Sequence, residues 1–434
     1  MNSIPQDVQI LDIDSLAFGG AGVGRLEGKA VFVPLSAPGD RVRCRILRQK
    51  KRFAEAELLE VLEPSSMRKP APCPHFGVCG GCRWQHLGYE DQCSQKETIF
   101  RDMLVRQAGV APELIRPLAA APSPWGYRSR AQLKCRMTPS GFVMGFYRQG
   151  SHFVIDVPHC AVLHPALDAA ARALREPLSK SPEVAKIPQL DLGVGDDGAV
   201  RAVVHYLGER LKKFCAELAP LAEALDIALF VQTGRKESLH LVRGPENLFL
   251  EVEGCSLGYG PGGFAQINLE QNRALVRLAL EALEPLDGKR ILDLFCGMGN
   301  FTLPLAQSAQ LLVGVEDYAP SIASARENAA RNSLSNVRFH TEPASGAFAR
   351  HAGQEGFDAV LLDPPRSGAY EVIKDLLFAA PRHLLYVSCD PATLARDLVP
   401  LLHGGYRLLW SRPLDMFPQT HHVESISLLQ RLPS

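Results

Sequence analysis

In the last third of the chain short apolar runs alternate with helical patterns: RILDLF, LLVGVE, AVLLD and LLYVS each end where a turn and a helix-forming stretch begin. Runs that are apolar throughout must be covered on both faces, and crossover helices supply that cover. Residues 266–434 are therefore expected to form a doubly wound, Rossmann-like α/β sheet that binds ligands at the carboxyl ends of its strands. The whole chain, 434 residues, exceeds what one core usually encloses, so further domains are expected upstream.

RILDLFCGMGNFTLPLA reads as a strand, a glycine turn and a helix start. Gly297 and Gly299 let the backbone approach a ligand, and Glu316, at the end of the next strand, stands where an acid takes ribose hydroxyls. Asn300 follows the second glycine and no third glycine opens the helix, which departs from the dinucleotide pattern. With Asp363 closing the strand AVLLD at the same edge, the site reads as one for S-adenosylmethionine. In DPPRSG the residue after Asp-Pro-Pro is Arg366, where amino-group methyltransferases carry an aromatic residue.

YVSCDPATLARD places Cys389 between a buried strand, His383–Val387, and a helix that Asp390 would cap and Pro391 would open. A helix N-terminus favours thiolate, so this corner suits a reactive thiol as well as a small buried hydrophobe.

Upstream, residues 1–65 form short segments punctuated by glycine, which suggests a small OB-like β-barrel. RVRCRILRQKKR, 41–52, holds seven basic residues and no acidic one. Arg41, Arg43 and Arg45 alternate with Val42, Cys44 and Ile46, giving a strand one basic and one core face: an RNA platform, or an edge charged against aggregation. Residues 66–265 read as a helix, Asp91–Gln107, and a mixed α+β layer. There WGYRSRAQLKCRM repeats the device, with Arg128, Arg130, Lys134 and Arg136 on one face. The net charge of zero argues against a purely electrostatic nucleic-acid binder, but two basic strands favour RNA.

Eleven cysteines in a chain with neither a secretion signal nor a membrane-length apolar run do not read as a disulfide framework, and a cytoplasmic setting is expected. Cys73, Cys79 and Cys82, spaced C-x5-C-x2-C around Gly80 and Gly81, with Cys160 downstream, suit zinc or an iron–sulfur cluster.

Together CPHFGVCGGC, LDLFCGMGNFTLPLA, LLDPPRSG, YVSCDPATLARD and DMFPQTHHVES resemble the bacterial 23S ribosomal-RNA (uracil-5-)-methyltransferases over essentially the whole chain. The resemblance implies a TRAM barrel in 1–65, a central domain in 66–265 with a [4Fe-4S] cluster on Cys73, Cys79, Cys82 and Cys160, and a methyltransferase domain in 266–434. It carries S-adenosylmethionine contacts onto Gln266, Phe295, Asn300, Glu316 and Asp363. Where the family has an asparagine this chain reads His340-Thr341-Glu342-Pro343, and Glu342 is taken as the replacement. The nucleophile falls on Cys389 and the base on Glu424.

The implied chemistry is addition of the thiolate to C6 of uracil, methylation of the carbanion at C5, and removal of the C5 proton by Glu424. The expected partner is 23S ribosomal RNA, met by a monomer away from any membrane, with the target uridine flipped out and stacked on Phe264. Two rivals make other demands. A methyltransferase acting on an amino group through Asp363-Pro364-Pro365 would survive loss of Cys389, and a non-enzymatic RNA-binding protein would have no affinity for the cofactor.

Overall fold

The structure, a computed structural model, describes residues 8–234, 238–352 and 356–433. Residues 1–7, at the start of the expected barrel, lie outside them.

Five strands, Val8–Leu16, Gly22–Leu26, Lys29–Val33, Arg41–Gln49 and Phe53–Glu63, close into a barrel. Alternation puts Leu11, Ile13, Val31, Val33, Val42, Cys44 and Ile46 in its interior. The basic face of Arg41–Gln49 is not free. The antiparallel register sets it against Phe53–Glu63, where Arg41, Arg43 and Arg45 pair with Glu63, Glu60 and Glu57 at 3.1, 2.5 and 3.7 Å. That stretch of the barrel is charge-balanced, so it is a weak electrostatic platform for RNA.

The middle of the chain builds a seven-stranded sheet in the order Leu239–Arg243, Ala228–Gln232, Val200–His205, Gln189–Val194, Arg130–Thr138, Gly141–Tyr147, Val154–Asp156. Ala131, Leu133 and Cys135 face its core with helices Pro165–Lys180 and Leu211–Ala224. Arg130, Lys134 and Arg136 lie on the other face, as their spacing demands.

The last layer is a second seven-stranded sheet, ordered Val337–Thr341, Leu311–Glu316, Arg290–Leu294, Ala359–Leu362, His383–Ser388, Glu424–Arg431, Tyr406–Leu414. The first five strands are parallel, Glu424–Arg431 runs antiparallel to them, and Tyr406–Leu414 pairs antiparallel with Glu424–Arg431. One face packs helix Pro391–His403 together with Phe100 and Leu104 of helix Tyr89–Ala108. The core on the other face takes in hairpin residues Leu248–Tyr259 and helix Leu269–Leu283. Lys96, fully buried, ties helix Tyr89–Ala108 to this layer through Asp415 at 2.5 Å and the Phe417 carbonyl at 3.0 Å. Among the described residues no helix is long and apolar enough to cross a membrane.

Candidate active site

The strand order reverses around Arg290–Leu294, with Leu311–Glu316 on one side and Ala359–Leu362 on the other. A crevice opens at such a switch point. Here it is a cavity of about 680 Å³ walled by Phe295, Glu316, Pro343, Ser345 and Gly368, among others. Phe295 holds a left-handed φ of +67° while its N–H and that of Cys296 donate to the Val315 carbonyl at 2.9 and 3.1 Å. The chain thus turns directly off the strand end. Gly297 and Gly299 continue the turn at φ +55° and +93°, and a Cβ on Gly299 would meet Leu303 at 2.9 Å.

Glu316 accepts the Tyr318 N–H at 2.9 Å and faces the Gly297 N–H at 3.4 Å. Asn300 exchanges a reciprocal amide pair with Asn272, at 2.8 and 2.9 Å, which fixes the start of the helix behind the turn. Gln266 enters where the central and C-terminal layers meet, its carbonyl accepting from the Ser129 hydroxyl at 3.3 Å.

Glu342 is not at the cavity wall. Its carboxylate turns to His351 and to Arg350, the latter at 2.7 Å, and the next residue, Pro343, lines the cavity. Thr341 ends the strand and the chain bends there, so consecutive side chains diverge. His340, Glu342 and His351 form a compact polar group that sequence spacing did not reveal.

Catalytic candidates meet on three adjacent strand ends. The antiparallel register that pairs Ser388 with Ser425, reinforced by the Ser425 hydroxyl donating to the Ser388 carbonyl at 3.2 Å, brings Cys389 beside Glu424. Asp363 follows the neighbouring strand Ala359–Leu362. Asp390 caps the helix after Cys389, accepting the Ala392 and Thr393 N–H groups at 2.9 and 3.0 Å.

The electrostatics are those of a carboxylate cluster. Desolvation, then the Glu424 charge, pushes the Cys389 thiol up to about 11, with the guanidinium of Arg366 opposing. The helix start therefore does not make this thiol acidic: the Asp390 carboxylate already occupies the N-terminus, and burial among acids prevails. Burial also holds Glu424 well above the usual carboxylate range, with Asp363 adding to the shift and Arg366 opposing it. Desolvation, then Glu316, pushes Asp363 up to about 7.

Two members of this group were missed in the sequence. Asp293, fully buried within an apolar strand, accepts from the Thr302 hydroxyl, has one unpartnered oxygen, and is pushed by burial to about 7. An acid inside RILDLF was the signal. Arg366 brings a positive charge to both Cys389 and Glu424, a role hidden by its position in a proline turn.

Cys73, Cys79, Cys82 and Cys160 line a separate small pocket with Phe76, Phe146, Val157 and Arg128. Gly80 is pressed against the neighbouring strand, its N–H donating to the Tyr147 carbonyl at 2.9 Å, and the Gly81 N–H donates to the Cys79 sulfur at 3.5 Å. Burial pushes Cys82 up to about 12, with the facing thiols of Cys160 and Cys79 adding to it and Gln85 and Arg128 opposing. Four thiols gathered around one pocket suit zinc or an iron–sulfur cluster.

Comparison with known proteins agrees with this architecture. Residues 204–432 match the tRNA (Uracil-5-)-methyltransferase family and residues 6–59 the TRAM domain. The chain is 40% identical to the 23S rRNA (uracil(1939)-C(5))-methyltransferase RlmD of Alkalilimnicola ehrlichii, over 99% of this chain and 98% of that protein. The RlmD of Thiobacillus denitrificans is 39% identical over 97% and 99%. The crystal structure of Pyrococcus abyssi tRNA (uracil-54, C5)-methyltransferase with S-adenosyl-L-homocysteine superposes with a TM-score of 0.76 at 26% identity, covering 97% of this chain and all of that one. On this likeness, which spans the barrel, the central layer and the cofactor sheet, the chain belongs to the family of S-adenosylmethionine-dependent 23S rRNA (uracil-C5)-methyltransferases.

Proposed function

We propose that the protein transfers a methyl group from S-adenosylmethionine to C5 of one uridine in 23S ribosomal RNA, using Cys389 as nucleophile and Glu424 as base. The observation that carries this reading is the meeting of Cys389, Glu424, Asp363 and Arg366 on three neighbouring strand ends beside the cofactor cavity.

C5 of uracil is too weak a nucleophile to be methylated directly. Cys389 forms a bond to C6, its proton leaving to a neighbouring base, and the electron pair so released makes C5 a carbanion that accepts the methyl group. Glu424 then takes the C5 proton, the C5–C6 double bond returns, and the thiol is expelled. Arg366 offsets the negative charge that gathers on the thiolate. Until the methyl group has moved, the sulfonium charge in the cavity draws the carboxyl groups of Asp363 and Glu424 back toward ionisation. Phe264, 64% exposed with the Arg130 guanidinium 6.0 Å from its ring, is placed to stack on a base flipped out of the RNA.

Cys73, Cys79, Cys82 and Cys160 would hold a [4Fe-4S] cluster, whose contribution is to bind the loop of residues 73–82 to the central sheet. The barrel and the central sheet serve RNA placement, and the C-terminal sheet the chemistry.

The test is transfer of labelled methyl from S-adenosylmethionine to 23S RNA lacking the modification. Label recovered as 5-methyluridine at one position is expected. Label on an exocyclic amino group, or no transfer, overturns the reading.

A further inference from the structure

The barrel's arginine face is neutralised by its own glutamates, which leaves open how the barrel meets RNA. The turn between its first two strands, Ala17–Ala21, offers an answer. It is tight, with Ala17 and Ala21 joined N–H to carbonyl at 2.8 Å and Gly20 to Ala17 at 2.9 Å. Gly19 and Gly20 hold φ of +102° and +90°. The turn is pressed against the catalytic segment: a Cβ on Gly20 would meet His421 Cβ and the Trp84 indole nitrogen, each at 3.0 Å. Trp84 Nε1 donates to the Gly20 carbonyl at 3.0 Å, so the turn is fastened down while its tip points outward.

That tip is Phe18, 40% exposed. Its ring meets His421 edge-on at 6.5 Å, His421 overlaps His422 at 4.2 Å, and His422 meets Phe417 at 5.8 Å. His422 lies within the field of Arg366 and Asp390, which flank Cys389. A row of rings thus runs from the barrel surface to the rim of the catalytic pocket. Burial pushes His421 down to about 3 and His422 to about 4, so at neutral pH both are uncharged rings. Arg83 and Arg366 act on both histidines, giving the row cationic flanks.

We propose that Phe18, carried by the barrel, is a stacking platform for an unpaired nucleobase next to the target uridine, with His421 and His422 continuing that surface toward Cys389. The occupant follows from the chemistry. An exposed aromatic face between guanidinium groups fits a π-face on a phosphate backbone, and a base adjoining a flipped uridine has already lost a stacking neighbour. The barrel would then supply one contact at the mouth of the active site, where its position fixes which uridine enters. This inference rests on the reading of the protein as a uridine methyltransferase.

The test uses the full-length protein and a 23S RNA fragment with 2-aminopurine beside the target uridine. Phe18→Ala is expected to lower kcat/KM for the RNA by about 5- to 100-fold and to abolish quenching of the probe. Cofactor affinity should not change, and Phe18→Trp should restore both RNA readouts. Wild-type kcat/KM and quenching in Phe18→Ala would overturn the proposal, as would an equal loss in Phe18→Trp. A wild-type protein that methylates no uridine would instead overturn the reading beneath it.

Discussion

Cys389 and Cys82 are both partly buried thiols whose protons are held tightly, to about 11 and about 12, yet their surroundings suit them to opposite tasks. Cys389 is a single sulfur facing Glu424, Asp363 and Arg366, and the residues on either side of Arg366, Pro365 and Ser367, line the cavity. Burial and the facing acids favour its protonated form, so attack on a substrate needs a base to take the proton. Cys82 faces Cys79 and Cys160 across a pocket lined with Phe76, Phe146 and Val157. Its thiolate would be relieved by a cation held among the four sulfurs that line this pocket. Burial alone therefore says little about a cysteine. The charges it faces decide whether it reacts or ligates.

The largest effects should come from separating the two partners at the reactive thiol. Cys389→Ala is expected to lower methylation on the order of 10⁴-fold or more, with RNA and cofactor binding kept and no covalent adduct formed. Glu424→Gln should be slowed about 10²- to 10⁴-fold at a later step, leaving protein and RNA joined through a C6 thioether that already carries the methyl group. A denaturing gel with both labels shows this as a slow, doubly labelled band for Glu424→Gln alone. Near-normal methylation by Cys389→Ala would favour attack on an amino group instead. Equal adducts from both variants would remove the distinction between nucleophile and base.

At the other thiols a loss of structure is expected rather than a loss of chemistry. Protein purified without oxygen should be brown and contain about four irons. Cys79→Ser should lose the colour and lower Tm by roughly 5–10 °C, the shift expected from about 2–3 kcal/mol in a domain of this size. Its affinity for S-adenosylmethionine should stay within about twofold, because the cluster pocket and the cofactor cavity share no lining residue. Colourless protein with stoichiometric zinc would reverse the assignment of the metal.

The strands of the cofactor sheet could be read in the sequence because each is a short apolar run, and the Asp390-Pro391 helix start because its cap and first turn are local. Features that depend on two distant segments could not. Arg41, Arg43 and Arg45 read as a basic face, and only the register with Phe53–Glu63 reveals their partners. Glu342 and Pro343 are neighbours in sequence but point apart once the strand ends, so position alone did not reveal that Pro343 lines the cavity while the Glu342 carboxylate turns to Arg350. The helix start at Cys389 suggested an acidic thiol, whereas burial reverses that effect and the acids that add to it come from other strands.

Those acids also predict the smallest effect, which belongs to the reactive thiol's side of the comparison and has no counterpart at the cluster. Asp293 and Asp363 are held at about 7 mainly by burial, with neighbouring carboxylates adding to it. Below that pH they are neutral and offer a cation little. As pH rises through 7 they ionise, and affinity for the positively charged sulfonium of S-adenosylmethionine should rise with them. Binding the cation favours the ionised carboxylates, so complex formation at pH 6 should release protons. Affinity should weaken by about tenfold per pH unit below 7 for each proton displaced. S-adenosylhomocysteine has lost the sulfonium charge and should show a shallower slope. Calorimetric titrations of both ligands from pH 5.5 to 8.5 in buffers of differing ionisation heat measure these quantities. Asp363→Asn should flatten the S-adenosylmethionine slope toward that of the product. Parallel slopes for the two ligands would mean that the carboxylates do not act on the sulfonium, and the electrostatic account of this pocket would have to be redrawn.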